Sequence, residues 1–466
     1  MRIHLLHTND IHSRLQMFPL IGGAIERLKR ELGERTIVID LGDHVDRVDP
    51  LTDITEGMLN RYVLEKSGYD LVTIGNNEGL TLSKKALEHM YRDATFNVIL
   101  SNLRTSDGKL PSWLKPYTVM RVEDVTLGFF GLTAAFHYYA LLGWTVDDSY
   151  AQAQAMAQWL RPQVDVLILL SHLGFHLDQT LAEAALGIDL ILGAHTHHRF
   201  PEGVRIQQTL ITQAGKGGRE LGWTTLEVSP QKKLTMRTHL IDVTKEAPSL
   251  RISKAIDEIQ QKEMPKLMRP VTQLSAPLHV SYEQSSPYAR LLAESMRRQT
   301  GADAAFINSG LLLHGLKAGL ISYGDVLSSC PHPITTCILR MPAIELKEIL
   351  SRALNPHFFF RPIHGFGFRG KVLGYPVLAG LTWEKDAASG LRFYDADGEV
   401  EDERLLSVAW PDMLLFRDPY DSFKSGLYEA NITYCLPDFL RHYLERALQD
   451  ETLVQAVRSK ERIYET

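Results

Sequence analysis

Residues 1–15 read MRIHLLHTNDIHSRL. A seven-residue apolar run (RIHLLHT) has the composition and length of a buried strand, and it stops on a polar cluster that contains Asp10 and His12. The same figure recurs along the first half of the chain. TIVIDLG is followed by Asp43 and DLVTIG by Asn76; VDVLILLSH ends on His172, and DLILGAH leads through His195 to His197. NVILSNL is a further buried strand. Segments near 19–33, 54–67, 82–92, 149–161 and 178–186 carry helical periodicity between these strands. Strand–helix alternation predicts a layered α/β fold whose sheet is largely parallel.

The pattern changes after residue 203. RIQQTLITQAG, LGWTTLEV and KLTMRTHLIDV read as consecutive strands, antiparallel to one another. Residues 246–275 are charged and helical in period, which suits an interdomain helix or linker. Helices and strands mix less regularly beyond it. At 466 residues the chain exceeds one ordinary core. The expected division is a first domain over 1–245, a linker over 246–275 and a second, smaller α+β domain over 276–466.

Composition narrows the function classes. A formal net charge of −6 disfavours a nucleic-acid polymer as partner. A small anionic substrate stays open, because bound cations can dominate a local field. The three cysteines, Cys330, Cys337 and Cys435, are odd in number and form no C-x-x-C pair, so a disulfide framework is not expected. The N-terminus lacks the long apolar region and cleavage site of a signal peptide, and no run is long enough for a transmembrane helix. The expectation is a cytoplasmic protein without a membrane partner.

Asp10, His12, Asp43, Asn76, His172, His195 and His197 all fall at the carboxyl ends of predicted strands, where open α/β sheets place their chemistry. Seven oxygen and nitrogen donors without a cysteine suit two divalent ions such as Mn, Zn, Fe or Co. A lone strand-end Asp or His is usually a cap or a satisfied polar group, and His4, His7, His137, His176 and His198 are read that way. The ordered set argues otherwise. On extended backbone, residues two apart share a side, so Asp10 with His12 and His195 with His197 can each address one site. Asp43 could bridge two ions about 3.5–4 Å apart, which would polarise a phosphoryl group and supply hydroxide at neutral pH.

The motifs HTNDIHSR, DLGDHVDR, GNNEG, LSHLG and GAHTHH, in that order, resemble the calcineurin-like metallophosphoesterases. The whole chain is similar to the 5′-nucleotidase/UDP-sugar hydrolase family, in which a metallophosphoesterase sandwich precedes a substrate-binding domain. INSGLLLHGLKAGLISYGDVLSSCP is similar to the opening of that second domain. The resemblance implies one metal held by Asp10, His12, Asp43 and His197, and another held by Asp43, Asn76, His172 and His195.

The chain departs from the family at its third motif. GNHE, an aromatic residue and Asp become GNNEGL: Asn76 and Glu78 are kept, but Asn77 replaces a His and Leu80 its Asp partner. In the family that His assists the transition state or leaving group. Asn cannot titrate, although it can donate a neutral hydrogen bond. A general acid–base group contributes about 10²–10⁴ in rate, so the expectation is a weaker or specialised enzyme rather than an inert one. Arg47, placed as in the GDYVDRG of Ser/Thr phosphatases, and His44 are the candidate substitutes. The competing reading pairs Arg47 with Asp46 or Asp49 and buries His44.

In the second domain the family holds a nucleobase between two aromatic rings. Asn308 and Gly310 of its N-x-G-x-x-R motif stand, but Leu313 replaces the Arg. Tyr375 lies near one stacking position; Phe416, Tyr420 or Phe423 would supply the other. Arg361 and Arg369, in the aromatic and glycine-rich FFFRPIHGFGFRG segment, are candidate phosphate contacts. The expected activity is hydrolysis of a small phosphorylated substrate of the nucleotide type, bound between the domains. A phosphodiesterase or pyrophosphohydrolase is the rival enzyme, and a nucleotide- or metal-binding sensor is the rival outside enzymes.

Overall fold

The computed structural model describes all residues except 137, 364–366, 387–389, 417–430 and 460–466, together with the backbone alone at 138, 141, 386, 416 and 431–439. The chain divides into two compact units, Met1–Met264 and Pro265–Thr466. The division falls inside the helix Leu250–Leu267, beside its internal Pro265.

The first unit is a sandwich of two sheets. One has the strand order Leu234–Asp242, Glu220–Val228, Arg2–Thr8, Thr36–Asp40, Leu71–Val72, Asn97–Ile99, Leu114–Lys115. The other runs Val204–Ile206, Thr209–Thr212, Leu190–Leu192, Val166–His172, Val125–Thr133, Tyr117–Val122. Arg2–Thr8, Thr36–Asp40 and Leu71–Val72 pair in parallel, as do Val166–His172 and Leu190–Leu192. The segment RIQQTLITQAG (205–215), which reads as one strand, lies across an antiparallel hairpin turning at Gln207, whose φ is 52°.

Period-two alternation explains why these strands are apolar on both faces. Ile3, Leu5, Ile37 and Ile39 join Phe129, Ile168, Leu170 and Leu192 in the layer between the sheets. Leu6, Val38 and Val72 point the other way, into the core under Phe18–Leu32, Met58–Ser67 and Lys84–Tyr91. Leu167, Leu169 and Ile191 pack outward with Ser149–Leu160 and Phe175–Glu183. The result is a helix–sheet–sheet–helix stack.

His7 continues the inward series of Ile3 and Leu5. It is fully buried, and neither ring nitrogen has a hydrogen-bond partner among the described residues. Its ring occupies the space above Gly222, where a Cβ would lie 2.0 Å from the imidazole. Burial pushes its pKa down to about 4. The unfolded chain therefore binds the extra proton first, and stability contributed by neutral His7 is lost as pH falls from about 6.5 toward about 4. That span corresponds to about 3 kcal/mol. A His7→Leu variant should show a correspondingly shallower loss of stability in denaturant melts between pH 7 and 4.5.

The second unit centres on a five-stranded sheet with the order Pro376–Ala379, Ala304–Asn308, Leu405–Pro411, Thr335–Pro342, Asn431–Phe439. Its helices include Pro287–Thr300 and Leu440–Leu448. Cys330 is a free buried thiol. Cys337, whose backbone pairs in register with Cys435, is disulfide-bonded. The disulfide at Cys337 departs from the expectation drawn from cysteine count and spacing. Among the described residues no helix is long and apolar enough to cross a membrane.

Candidate metal centre

The carboxyl ends of five strands bring the candidate ligands to one edge of the sandwich. Asp10 and His12 follow Arg2–Thr8, Asp43 follows Thr36–Asp40, and Asn76 opens the helix Asn76–Thr81 after Leu71–Val72. His172 closes Val166–His172, while His195 and His197 follow Leu190–Leu192. The backbone at these points is not extended, as the D-x-H and H-x-H spacing argument supposed. Asp10, His12, Asp43, His195 and His197 have φ of 50°, 50°, 53°, 71° and 58°. Non-glycine residues rarely adopt this region, and it tends to persist at functional sites. Backbone bonds hold the two first loops together: Asp10 N–H donates to Gly42 O at 3.1 Å and His12 N–H to Asp43 O at 2.8 Å.

The side chains converge. His12 Nε2 lies 3.4 Å from His197 Nε2 and 3.9 Å from both Asp10 Oδ1 and Asp43 Oδ2. Asp10 Oδ1 is 3.4 Å from His197 Nε2 and 4.0 Å from His172 Nε2. Asp43 Oδ1 is 3.4 Å from His172 Nε2, an ion-pair contact rather than a hydrogen bond. Two ligand-type clusters result, Asp10–His12–His197 and Asp10–Asp43–His172. Asp10 belongs to both; Asp43 belongs to the second, and its Oδ2 lies 3.9 Å from His12 Nε2 of the first. The ring of His195 stands 5.3 Å from that of His172.

Several converging groups turn an atom without a hydrogen bond toward the cluster. Asn9 Nδ2 and the His195 N–H both donate to Asp10 Oδ2, leaving Oδ1 without a hydrogen-bond partner among the described residues. His172 Nδ1 lies 2.7 Å from Leu41 O, which keeps a proton on that nitrogen and leaves Nε2 as the atom that can face a cation. Asn76 Oδ1 is likewise buried without a partner among the described residues. Three orphaned buried donor atoms fit a divalent cation, since buried polar groups otherwise find partners. Burial pushes the Asp43 carboxyl up, but His172 outweighs it and holds it well below the usual carboxylate range. Burial and the charge of His172 push His195 down to about 4, so its imidazole is neutral at pH 7, as a ligand requires.

Family models match both halves of the chain: calcineurin-like phosphoesterase over residues 3–199 and the 5′-nucleotidase C-terminal domain over residues 269–409. The metallophosphoesterase YunD of Bacillus subtilis is 34% identical over 95% of this chain and 98% of its own length. The chain belongs to the metallophosphoesterase family. Other relatives are longer: this metallophosphoesterase spans 35% of the B. subtilis endonuclease YhcR, at 21% identity over 85% of its own chain. In fold it is similar to the NAD nucleotidase of Haemophilus influenzae (TM-score 0.64, 15% identity, 96% of each chain) and to a 5′-nucleotidase precursor of Thermus thermophilus (TM-score 0.60, 18% identity, 97% and 96%).

Beneath the candidate ligands of the metallophosphoesterase lies a buried polar girder that residue spacing did not reveal. Glu78 accepts the N–H groups of Asp43 and Gly75 at 2.9 Å each and of Val45 at 2.7 Å, tying the Asp43 loop to the start of the Asn76 helix. His44 is fully buried. Its Nδ1 is 3.0 Å from Asp40 Oδ1, and its Nε2 is 3.3 Å from the Tyr91 hydroxyl. Burial lowers its pKa, but the carboxylates of Glu78 and Asp40 outweigh burial and raise it. Arg47 donates to Asp53 Oδ1 at 2.8 Å and to Thr81 O at 2.9 Å. The only sequence signal for the girder was the acid of GNNEG.

In the second unit, Asn308 donates to Gly374 O at 3.0 Å and the Gly310 N–H to Leu373 O at 3.0 Å. Gly310 is required there, since a Cβ would lie 2.0 Å from Val372 O. Tyr375 packs against Phe359 with ring centroids 5.2 Å apart. The Arg361 guanidinium lies 5.8 Å from the Phe358 ring centroid, and the Arg369 N–H donates to buried His332 Nδ1 at 2.9 Å. Phe416 closes the helix Asp412–Phe416; its side chain, and Tyr420 and Phe423 entirely, lie outside the described residues.

Proposed function

We propose that this metallophosphoesterase hydrolyses small phosphomonoesters of the nucleotide type at a centre of two divalent cations. Asp10, His12, Asp43 and His197 would hold one cation, and Asp43, Asn76, His172 and His195 the other. The reading is carried by the convergence of His12, His172 and His197 Nε2 on two carboxylates that leave Asp10 Oδ1 and His172 Nε2 without hydrogen bonds among the described residues. Bound cations there would polarise a phosphoryl group and lower the pKa of water. The chain's own contribution is to orient the ligands. Leu41 O fixes the His172 tautomer, Asn9 and the His195 N–H anchor Asp10, and Glu78 clamps the Asp43 loop. Arg47 and His44, bonded to protein partners, suit support of this scaffold better than contact with substrate. Tyr375 is the described aromatic proposed to face a nucleobase, with Asn308 and Gly310 shaping the strand end beside it.

The test is a side-by-side assay of the Mn²⁺-loaded protein on nitrophenyl phosphate, nucleoside 5′-monophosphates, cyclic nucleotides and dinucleotides. Monoesters should turn over, and chelation should abolish the activity. Faster hydrolysis of diesters would overturn the monoester assignment. Full metal occupancy with no turnover of any ester would replace the enzyme by a sensor.

A further inference from the structure

The residue at position 77 faces the metal centre from a direction that the loss of the family His does not explain. Asn77 bonds at two places. Its backbone N–H donates to Asp43 Oδ1 at 2.8 Å, and its side-chain amide nitrogen Nδ2 lies 2.8 Å from His12 Nδ1. The first contact reaches a carboxylate of the Asp10–Asp43–His172 cluster; the second reaches the far side of a ring whose Nε2 points into the Asp10–His12–His197 cluster. The Thr81 hydroxyl donates to Asn77 O at 2.5 Å, closing the first turn of the helix and fixing the residue.

A histidine can present Nε2 to a cation only if its proton sits on Nδ1, and the group beyond Nδ1 must then accept that proton. Two groups stand there: the Asn77 amide at 2.8 Å and Asp46 Oδ2 at 3.4 Å. The amide is the nearer. As placed, the amide turns its Nδ2 donor toward Nδ1, which suits a ring protonated on Nε2; a cation on Nε2 moves that proton to Nδ1, and half a turn of the amide then brings Oδ1 to accept it. An amide committed in this way is not free to protonate a leaving group, and asparagine has no proton to give.

We infer that Asn77 is a positioning residue: it locks the His12 ring through Nδ1 while its N–H holds Asp43, coupling the two half-sites through one helix turn. The inference rests on the two-cation reading above. It makes position 77 a determinant of metal affinity at the Asp10–His12–His197 half-site.

The test is calorimetric titration of chelator-stripped protein with Mn²⁺, which reads binding without catalysis. Asn77→Ala keeps the backbone N–H and removes the amide; it should weaken one of the two sites by about 10–100-fold, the usual effect of losing a partner behind a ligand. Asn77→Asp offers a carboxylate oxygen to Nδ1 and should bind within a few fold of the parent. Thermal melting of the metal-free proteins checks that the fold is intact. If Asn77→Ala unfolds, Asn77→Ser, too short to reach His12, takes its place. Parent-like binding by the Ala or Ser variant would overturn the inference, as would equal weakening of the Ala and Asp variants. A parent protein that binds no Mn²⁺ would overturn the two-cation reading itself, a distinguishable outcome.

Discussion

Asp43→Asn should leave a folded protein that binds Mn²⁺ poorly and hydrolyses nitrophenyl phosphate more than about 10³-fold more slowly, beyond the usual effect of removing one hydrogen-bond donor from an active site. The two oxygens of Asp43 are used differently. Oδ1 accepts the Asn77 N–H and lies 3.4 Å from His172 Nε2, while Oδ2 lies 3.9 Å from His12 Nε2. An amide can supply an oxygen to one side only and turns an N–H₂ donor toward the other imidazole. The charge matters as well. Burial lowers the His172 pKa, but Asp43 outweighs it and raises it to about 10 in the metal-free protein. Near pH 7 the metal-free His172 therefore carries a proton that a cation must displace. Mn²⁺ affinity of the parent should rise with pH, with proton release on binding. In Asp43→Asn the His172 pKa falls and this proton release shrinks. Metal content, kcat and calorimetry in two buffers of different ionisation enthalpy check the three statements. Parent-like metal content in Asp43→Asn would remove Asp43 from the centre.

Gly75→Ala is the second change with a large expected effect, and it adds only a methyl group. A Cβ at residue 75 would lie 2.1 Å from Asp43 Oδ1 and 2.6 Å from His172 Cε1. Neither neighbour can yield cheaply. His172 is held by Leu41 O, and Asp43 by the Asn77 N–H and, through its own N–H, by Glu78. Overpacking of this kind usually costs about 1–3 kcal/mol. The displacement would separate Asp43 from His172, so metal loading and turnover should fall by orders of magnitude more than the modest drop in Tm. Unchanged Mn²⁺ affinity would show that the loops can move apart without loss.

Much of the architecture is written in local sequence. Buried strands such as TIVIDLG and VDVLILLSH are recognisable because an apolar run can satisfy a two-sided sheet in only a few ways. The candidate ligands fall at the carboxyl ends of those strands for the same reason, since strand order places every such end along one edge. Partnership is harder to read. His44 and Arg47 stand beside Asp43 in sequence and read as candidates for chemistry. The fold turns His44 inward onto Asp40 and Tyr91 and ties Arg47 to Asp53 and Thr81.

For the stretch MRIHLLHTNDIHSRL, the sequence alone determined that a buried strand ends on ligand-type residues, because alternation and composition are properties of neighbours along the chain. It did not determine how Asp10 and His12 reach one centre. Extended spacing suggested a shared side, whereas both residues adopt left-handed backbone, held against the Asp43 loop by hydrogen bonds to Gly42 O and Asp43 O. Those conformations are costly in an isolated segment and persist only where surrounding contacts over-determine them. Here the contacts come from residues more than 30 positions away, so only the tertiary structure decided the geometry of the centre.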